Sequence, residues 1–185
     1  MAAAFLLAVA AAVSELPALG AAGGLLHPAR RQIDAATPPT CVDFVFSGAG
    51  VALQEAALDK RVTAVVAAET FSDLRTAAAE RAPFFFTSAI IGRAFRLAEQ
   101  QGSFQVDAVS PAIAAGNITA PVLLVHGDAD ADTPVDHARR VFANLHDPKR
   151  LILVPGARHN GSLRNEVWDE IERWIDAVLA RRDDT

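Results

Sequence analysis

The sequence has a single cysteine, Cys41. That excludes an intramolecular disulfide and any zinc site built on several thiolates. Positive charge is scarce: 17 Lys and Arg stand against 22 Asp and Glu, for a formal net charge of -5. Basic pairs such as Arg30-Arg31, Arg139-Arg140 and Arg181-Arg182 are short and far apart. Nucleic-acid binding needs clustered Lys and Arg to neutralise phosphates, so no nucleic-acid partner is expected. Long apolar runs are also missing. The first apolar stretch, Ala2 to Val13, is too short to cross a bilayer as a helix.

That stretch has the size of the apolar part of a secretory signal, and Ala18-Leu19-Gly20 offers small residues for cleavage. No Lys or Arg precedes Arg30, so the basic start of such a signal is absent from the sequence. Two readings stand: an export signal on a secreted or periplasmic protein, and a buried Ala-rich helix in a cytoplasmic one. Residues 1–24 form this hydrophobic segment. Residues 25–41, with Pro28, Pro38 and Pro39, read as a linker.

From Val42 the pattern changes. The chain is long enough, and at 51% hydrophobic apolar enough, for one domain with a sizeable core, placed at 42–182. Apolar β-branched runs alternate with amphipathic stretches. Val42–Phe46, Val62–Ala67, Pro121–His126 and Leu151–Val154 read as strands, the later ones apolar on both faces. Helices are expected over Val51–Leu58, Asp73–Ala82, Ser88–Gln101 and Asn165–Arg181. Another is expected to begin where Thr133 caps and Pro134 takes the first helical position. Strands alternating with helices imply an α/β fold, a parallel sheet with helices on both faces.

In such sheets, sites form beyond the carboxyl ends of the strands. Three strand ends carry reactive residues. Ser47-Gly48 follow the first strand, Asp128, Asp130 and Asp132 follow VLLVHG, and His159 follows LILVPGAR. In chain order this is a hydroxyl, an acid and a base. A serine hydroxyl attacks well only when an imidazole accepts its proton, and a carboxylate then orients and stabilises the imidazolium. The oxyanion formed by the attack needs aimed backbone N–H groups, one of which Gly48 would supply at a helix start.

The segments VLLVHGDADADTPVDHARRVF, LILVPGARHNGSL and EVWDEIERWID resemble the closing portion of an α/β-hydrolase of the dienelactone-hydrolase or prolyl-oligopeptidase-like kind. RVTAVVAAETFSDL resembles the strand that follows the nucleophile helix in that family. The resemblance implies a partial α/β-hydrolase fold and a serine hydrolase acting on small-molecule carboxylic esters, with peptides or amides as alternative substrates, and with no cofactor and no metal. It implies that Asp130, three residues after the Gly of H-G-x-x-D, is the acid. It implies that His159, in G-x-x-H, is the base.

The chain departs from the family at the nucleophile. The elbow G-x-S-x-G reads Val45-Phe46-Ser47-Gly48-Ala49 here, with both outer glycines replaced. Those glycines answer backbone strain and crowding, so Ser47 stands between two readings: a working nucleophile and a turn serine. A non-catalytic remnant that binds or self-associates through an uncovered sheet edge is the alternative function. FVFSGAGVAL also resembles the first strand pair of such hydrolases, which would make the chain a shortened one.

Other features have plainer expectations. Asp128, Asp130 and Asp132 have the spacing of a calcium loop, but its sixth position is Thr133 and its twelfth Arg139, which rules the loop out. His126 is expected in the core, bonded to backbone. His137 and His146 are expected at the surface, and Phe84–Phe86 in the core covering the sheet, with the lining of an apolar acyl pocket as the alternative.

Overall fold

The computed structural model describes residues 42–45, as backbone, and 49–183. Ser47, Gly48, the hydrophobic segment 1–24 and the linker 25–41 lie outside the described residues. No helix among the described residues is long and apolar enough to cross a membrane.

The core is a four-stranded, wholly parallel sheet in the order β1-β2-β3-β4, with β1 Val42–Val45, β2 Ala64–Ala68, β3 Val122–Gly127 and β4 Lys149–Val154. Every residue of β2 and β3 is buried. This explains why their sequences show no polar alternation: a parallel strand covered on both faces has no solvent side.

Strand residues alternate between two apolar layers. Val65, Ala67, Val122 and Leu124 pack with Leu53 of α1 (Ala49–Leu58), Ala115 of α4 (Pro111–Ala115) and Val141 of α5 (Asp136–Asn144). Val66, Ala68, Leu123 and Val125 pack with Val167 and Ile171 of α6 (Asn165–Asp183). Strands added in one direction by right-handed crossovers place their connecting helices on one face. The final helix, which connects to no further strand, covers the other. Its stripe of Val167, Trp168, Ile171, Trp174, Ile175 and Val178 is the apolar face expected from the spacing.

The segment between β2 and α4 forms a second compact unit, 74–109, with α2 (Leu74–Arg81), α3 (Ser88–Gly102) and a 3₁₀ turn at Val106–Ala108. It has its own small core of Ala78, Phe95 and Val106. Thr87 caps α3 by accepting from the Ile90 amide. Phe84 and Phe85 are not core residues: Phe84 is 99% exposed and Phe85 is exposed too. They sit in the turn after Pro83, where the three rings Phe84–Phe86 stack edge to face on one another.

Two further expectations fail for local reasons. The helix expected to follow directly on Thr133 and Pro134 begins later, after a turn organised by the Asp130 carboxylate around the Thr133 backbone. The Thr133 N–H donates to Asp130 and its carbonyl accepts from His126, and α5 begins only at Asp136. His137 is not at the surface: it is 1% exposed. It lies one helical turn before Val141, on the buried face of α5, and its Nδ1 accepts from the Ser72 N–H at 3.0 Å. His126, by contrast, is buried and bonded to backbone as its sequence context suggested.

Candidate active site

β3 ends at Gly127, and the next residues turn sharply. The Asp128 N–H donates to Val154 O and the Ala129 N–H to Ala157 O, so the chain leaving β3 is tied to the chain leaving β4. The contact is close enough to demand glycine. A Cβ on Gly127 would lie 2.2 Å from Ala157 O and 2.8 Å from its carbonyl carbon. On the other side of the junction, Gly156 takes a left-handed φ of +65. Its N–H donates to Asp128 Oδ1 at 2.6 Å. The GD of one motif and the PGA of the other thus lock together.

This junction presents Asp130 and His159 to each other. His159 Nδ1 lies 2.8 Å from Asp130 Oδ2, with the Asp130 side chain fully buried and His159 about a quarter exposed. Asp130 Oδ1 accepts from the backbone N–H groups of Asp132 (2.9 Å) and Thr133 (2.8 Å). Burial pushes the Asp130 carboxyl up, but the Thr133 amide, the His159 ring and the Asp132 amide outweigh it. The net result lies below the ordinary 3.8. An ionised carboxylate can only accept, so Nδ1 carries the proton. The lone pair is then on Nε2, the nitrogen turned away from the acid, where a base can work. The buried His126 ring stands 3.6 Å behind Asp130, held by Thr133 O.

A residue the motif reading missed joins this pair. Glu69, the residue after β2, is buried, and its backbone has a left-handed φ of 56. That conformation costs a non-glycine residue about 1 kcal/mol or more. Its N–H is bonded to Val125 O of β3. Its carboxylate accepts from the Asn160 N–H and from the Ser162 N–H at 3.1 Å, and stands 3.7 Å from His159 Nδ1. The signal was present: an acid ends an unbroken apolar strand in VVAAE, where ionised groups are rarely buried without partners.

Glu69, Asp130 and His159 offer ligand atoms within 4.8 Å of one another, a spacing a metal ion also needs. Their closeness is accounted for without one. The Asp130 carboxylate is wired to backbone amides of its own turn, the Glu69 carboxylate to amides of the loop that carries His159, and the ring to Asp130. A separate shallow groove, with Thr63, Pro121 and Pro148 in its wall, lies at the amino ends of the strands, opposite this site.

Of the residues singled out from sequence, the structure brings together Asp130 and His159. Ser47 and Gly48 lie outside the described residues. Ser72 is sealed from solvent, its hydroxyl between Asp73 and His137, and is built into the core.

Comparisons with known proteins bear on the family and the fold. Residues 49–182 match the model of the prolyl oligopeptidase family. A protein of Escherichia coli (strain K12), the uncharacterized protein YfhR, is 29% identical over 121 residues, covering 64% of this chain and 37% of that one. Among solved structures, the acetyl xylan esterase from Paenibacillus sp. R4 superposes with a TM-score of 0.55 at 21% identity, over 70% of this chain and 42% of that one. Acetyl xylan esterase 1 from Thermoanaerobacterium sp. JW/SL YS485 superposes with a TM-score of 0.54 at 21% identity, over 71% and 43%. These structural likenesses establish a shared fold. The chain spans less than half the length of each of these relatives.

Proposed function

Because the chain belongs to the prolyl oligopeptidase family of α/β-hydrolases, we propose that it is a serine hydrolase acting on small carboxylic esters, with Asp130 and His159 as its acid and base. The observation that carries this is the 2.8 Å Asp130–His159 bond at two adjacent strand tips, with the acid's other oxygen held by two backbone amides. That wiring leaves Nε2 of His159 as the proton acceptor.

In this reading Ser47 is the nucleophile. Its Oγ bonds to the ester carbonyl carbon while its proton passes to His159 Nε2. The oxyanion is met by the Gly48 N–H. His159 then returns the proton to the leaving alcohol, and water repeats the cycle on the acyl-serine. Asp130 keeps the imidazolium oriented throughout. The matched family is named for oligopeptidases and two of the structural relatives for acetyl xylan ester cleavage, so esters and amides are both within the acyl-transfer chemistry of this reading.

A fluorophosphonate probe tests this directly. We expect a single adduct, mapped by mass spectrometry to Ser47, absent in Ser47→Ala and much slower to form in His159→Ala. No adduct, together with no turnover of short p-nitrophenyl esters, overturns the reading in favour of a non-catalytic remnant.

A further inference from the structure

Glu69 has an uncommon position. It follows β2, yet its carboxylate reaches past β3 to the loop after β4, which is two strands away in the sheet. There it accepts from the N–H groups of Asn160 and Ser162, the residues on either side of Gly161. Asn160 itself has a left-handed φ of 61, a conformation short polar residues tolerate. The backbone leaving His159 is therefore bent tightly and held in that bend from a different strand. The same carboxylate stands 3.7 Å from His159 Nδ1, on which Asp130 closes to 2.8 Å.

From this geometry we infer that Glu69 is a positioning residue for His159: it fixes the ring through the Asn160 and Ser162 amides and places a second negative charge beside the imidazolium. The inference rests on the serine-hydrolase reading of Asp130 and His159 for its kinetic consequence, though not for its structural one. Two features favour a role at the site over simple loop packing. The residue is kept in a strained backbone conformation, and strain of this kind concentrates where geometry matters to function. Its carboxylate is also aimed at the one ring whose charge changes in the reaction. The charged groups facing the ring are Glu69 from the end of β2 and Asp130 from the turn after β3, with the His126 ring lying behind Asp130.

Glu69→Gln keeps the size of the side chain, removes its charge and replaces one amide acceptor by a donor. We expect kcat on p-nitrophenyl acetate to fall about tenfold with KM within about twofold of wild type. A second readout needs no turnover. In proton NMR the His159 Nδ1–H, held by Asp130, should give a resolved downfield resonance in the wild type and an exchange-broadened one in Glu69→Gln. Unchanged kcat with an unchanged resonance overturns the inference, as does a loss expressed wholly in KM. Amide exchange in the wild type guards against a variant that does not fold: rapid exchange at both Asn160 and Ser162 overturns it independently. If the wild type turns over no ester, the hydrolase reading fails, while the resonance and the exchange rates still decide the role of Glu69 in holding the ring.

Discussion

Asp130→Asn is expected to lower kcat for ester hydrolysis by about ten-thousandfold while leaving a folded protein. The reason is the tautomer. The amide oxygen of the new residue will turn to the two donors, the N–H groups of Asp132 and Thr133, because an NH₂ cannot accept from them. Its NH₂ then faces His159 Nδ1 and needs an acceptor there, so the ring proton moves to Nε2. A ring protonated at Nε2 cannot take a proton from the nucleophile. The measurement is single-turnover acylation by a p-nitrophenyl ester, alongside a thermal melt. A drop of less than about tenfold would remove Asp130 from the mechanism.

The same substitution fixes a pH dependence. The folded Asp130 carboxyl lies below its ordinary 3.8, so its bonds stabilise the protein fully above that pH and fade as pH falls through the depressed folded value. The gap in melting temperature between wild type and Asp130→Asn should thus be constant from neutral pH down to about pH 4 and narrow below it. A gap that closes instead between pH 7 and 5 would show that another group is responsible.

Gly127→Ala is expected to be among the most damaging single-methyl additions to the sheet. The new Cβ would sit 2.2 Å from Ala157 O, well inside contact distance, and the obstacle is backbone, which cannot rotate aside. Relief requires parting the chain after β3 from the chain after β4, where Ala129 N–H donates to Ala157 O. Overpacking of this kind costs about 1–3 kcal/mol. A lost backbone bond adds about 1 kcal/mol. For a chain of this size that is a fall of roughly 5–15 °C in melting temperature. Those two loops carry Asp130 and His159, so kcat should drop by about a hundredfold as well. Gly156→Ala is the contrast. Its Cβ meets nothing within 4 Å, and its penalty is the left-handed φ alone, about 1 kcal/mol. A Gly127→Ala protein as stable as Gly156→Ala would mean the junction is looser than drawn.

The Asp130–His159 pairing was approachable from sequence because it depends on short-range facts. Each residue lies a fixed few positions past a strand, and parallel strands with right-handed crossovers bring their carboxyl ends to one rim. Thr133 and His137 were misjudged because local signals were overruled. In VHGDADADTPVDH the buried Asp130 carboxylate gathers the Asp132 and Thr133 amides into a turn, and the helix is formed only after it, from Asp136. His137 looked polar in a charged neighbourhood, yet its turn of helix faces the Ser72 backbone. The exposed rings of Phe84 and Phe85 show the converse, since apolar identity alone does not say that a partner surface exists.

The sequence alone determined the class of fold, its four strands and its longer helices, though not the short helix Pro111–Ala115, because hydrophobic periodicity and turn residues act over a few positions along the chain. It also marked Asp130 and His159 as strand-end residues by the same local logic. Only the tertiary structure decided that Glu69 belongs with them and that Gly127 can be nothing larger. Both depend on contacts between chain segments 30 to 93 residues apart, Gly127 with Ala157 and Glu69 with Ser162, whose distances are set by how the strands lie side by side.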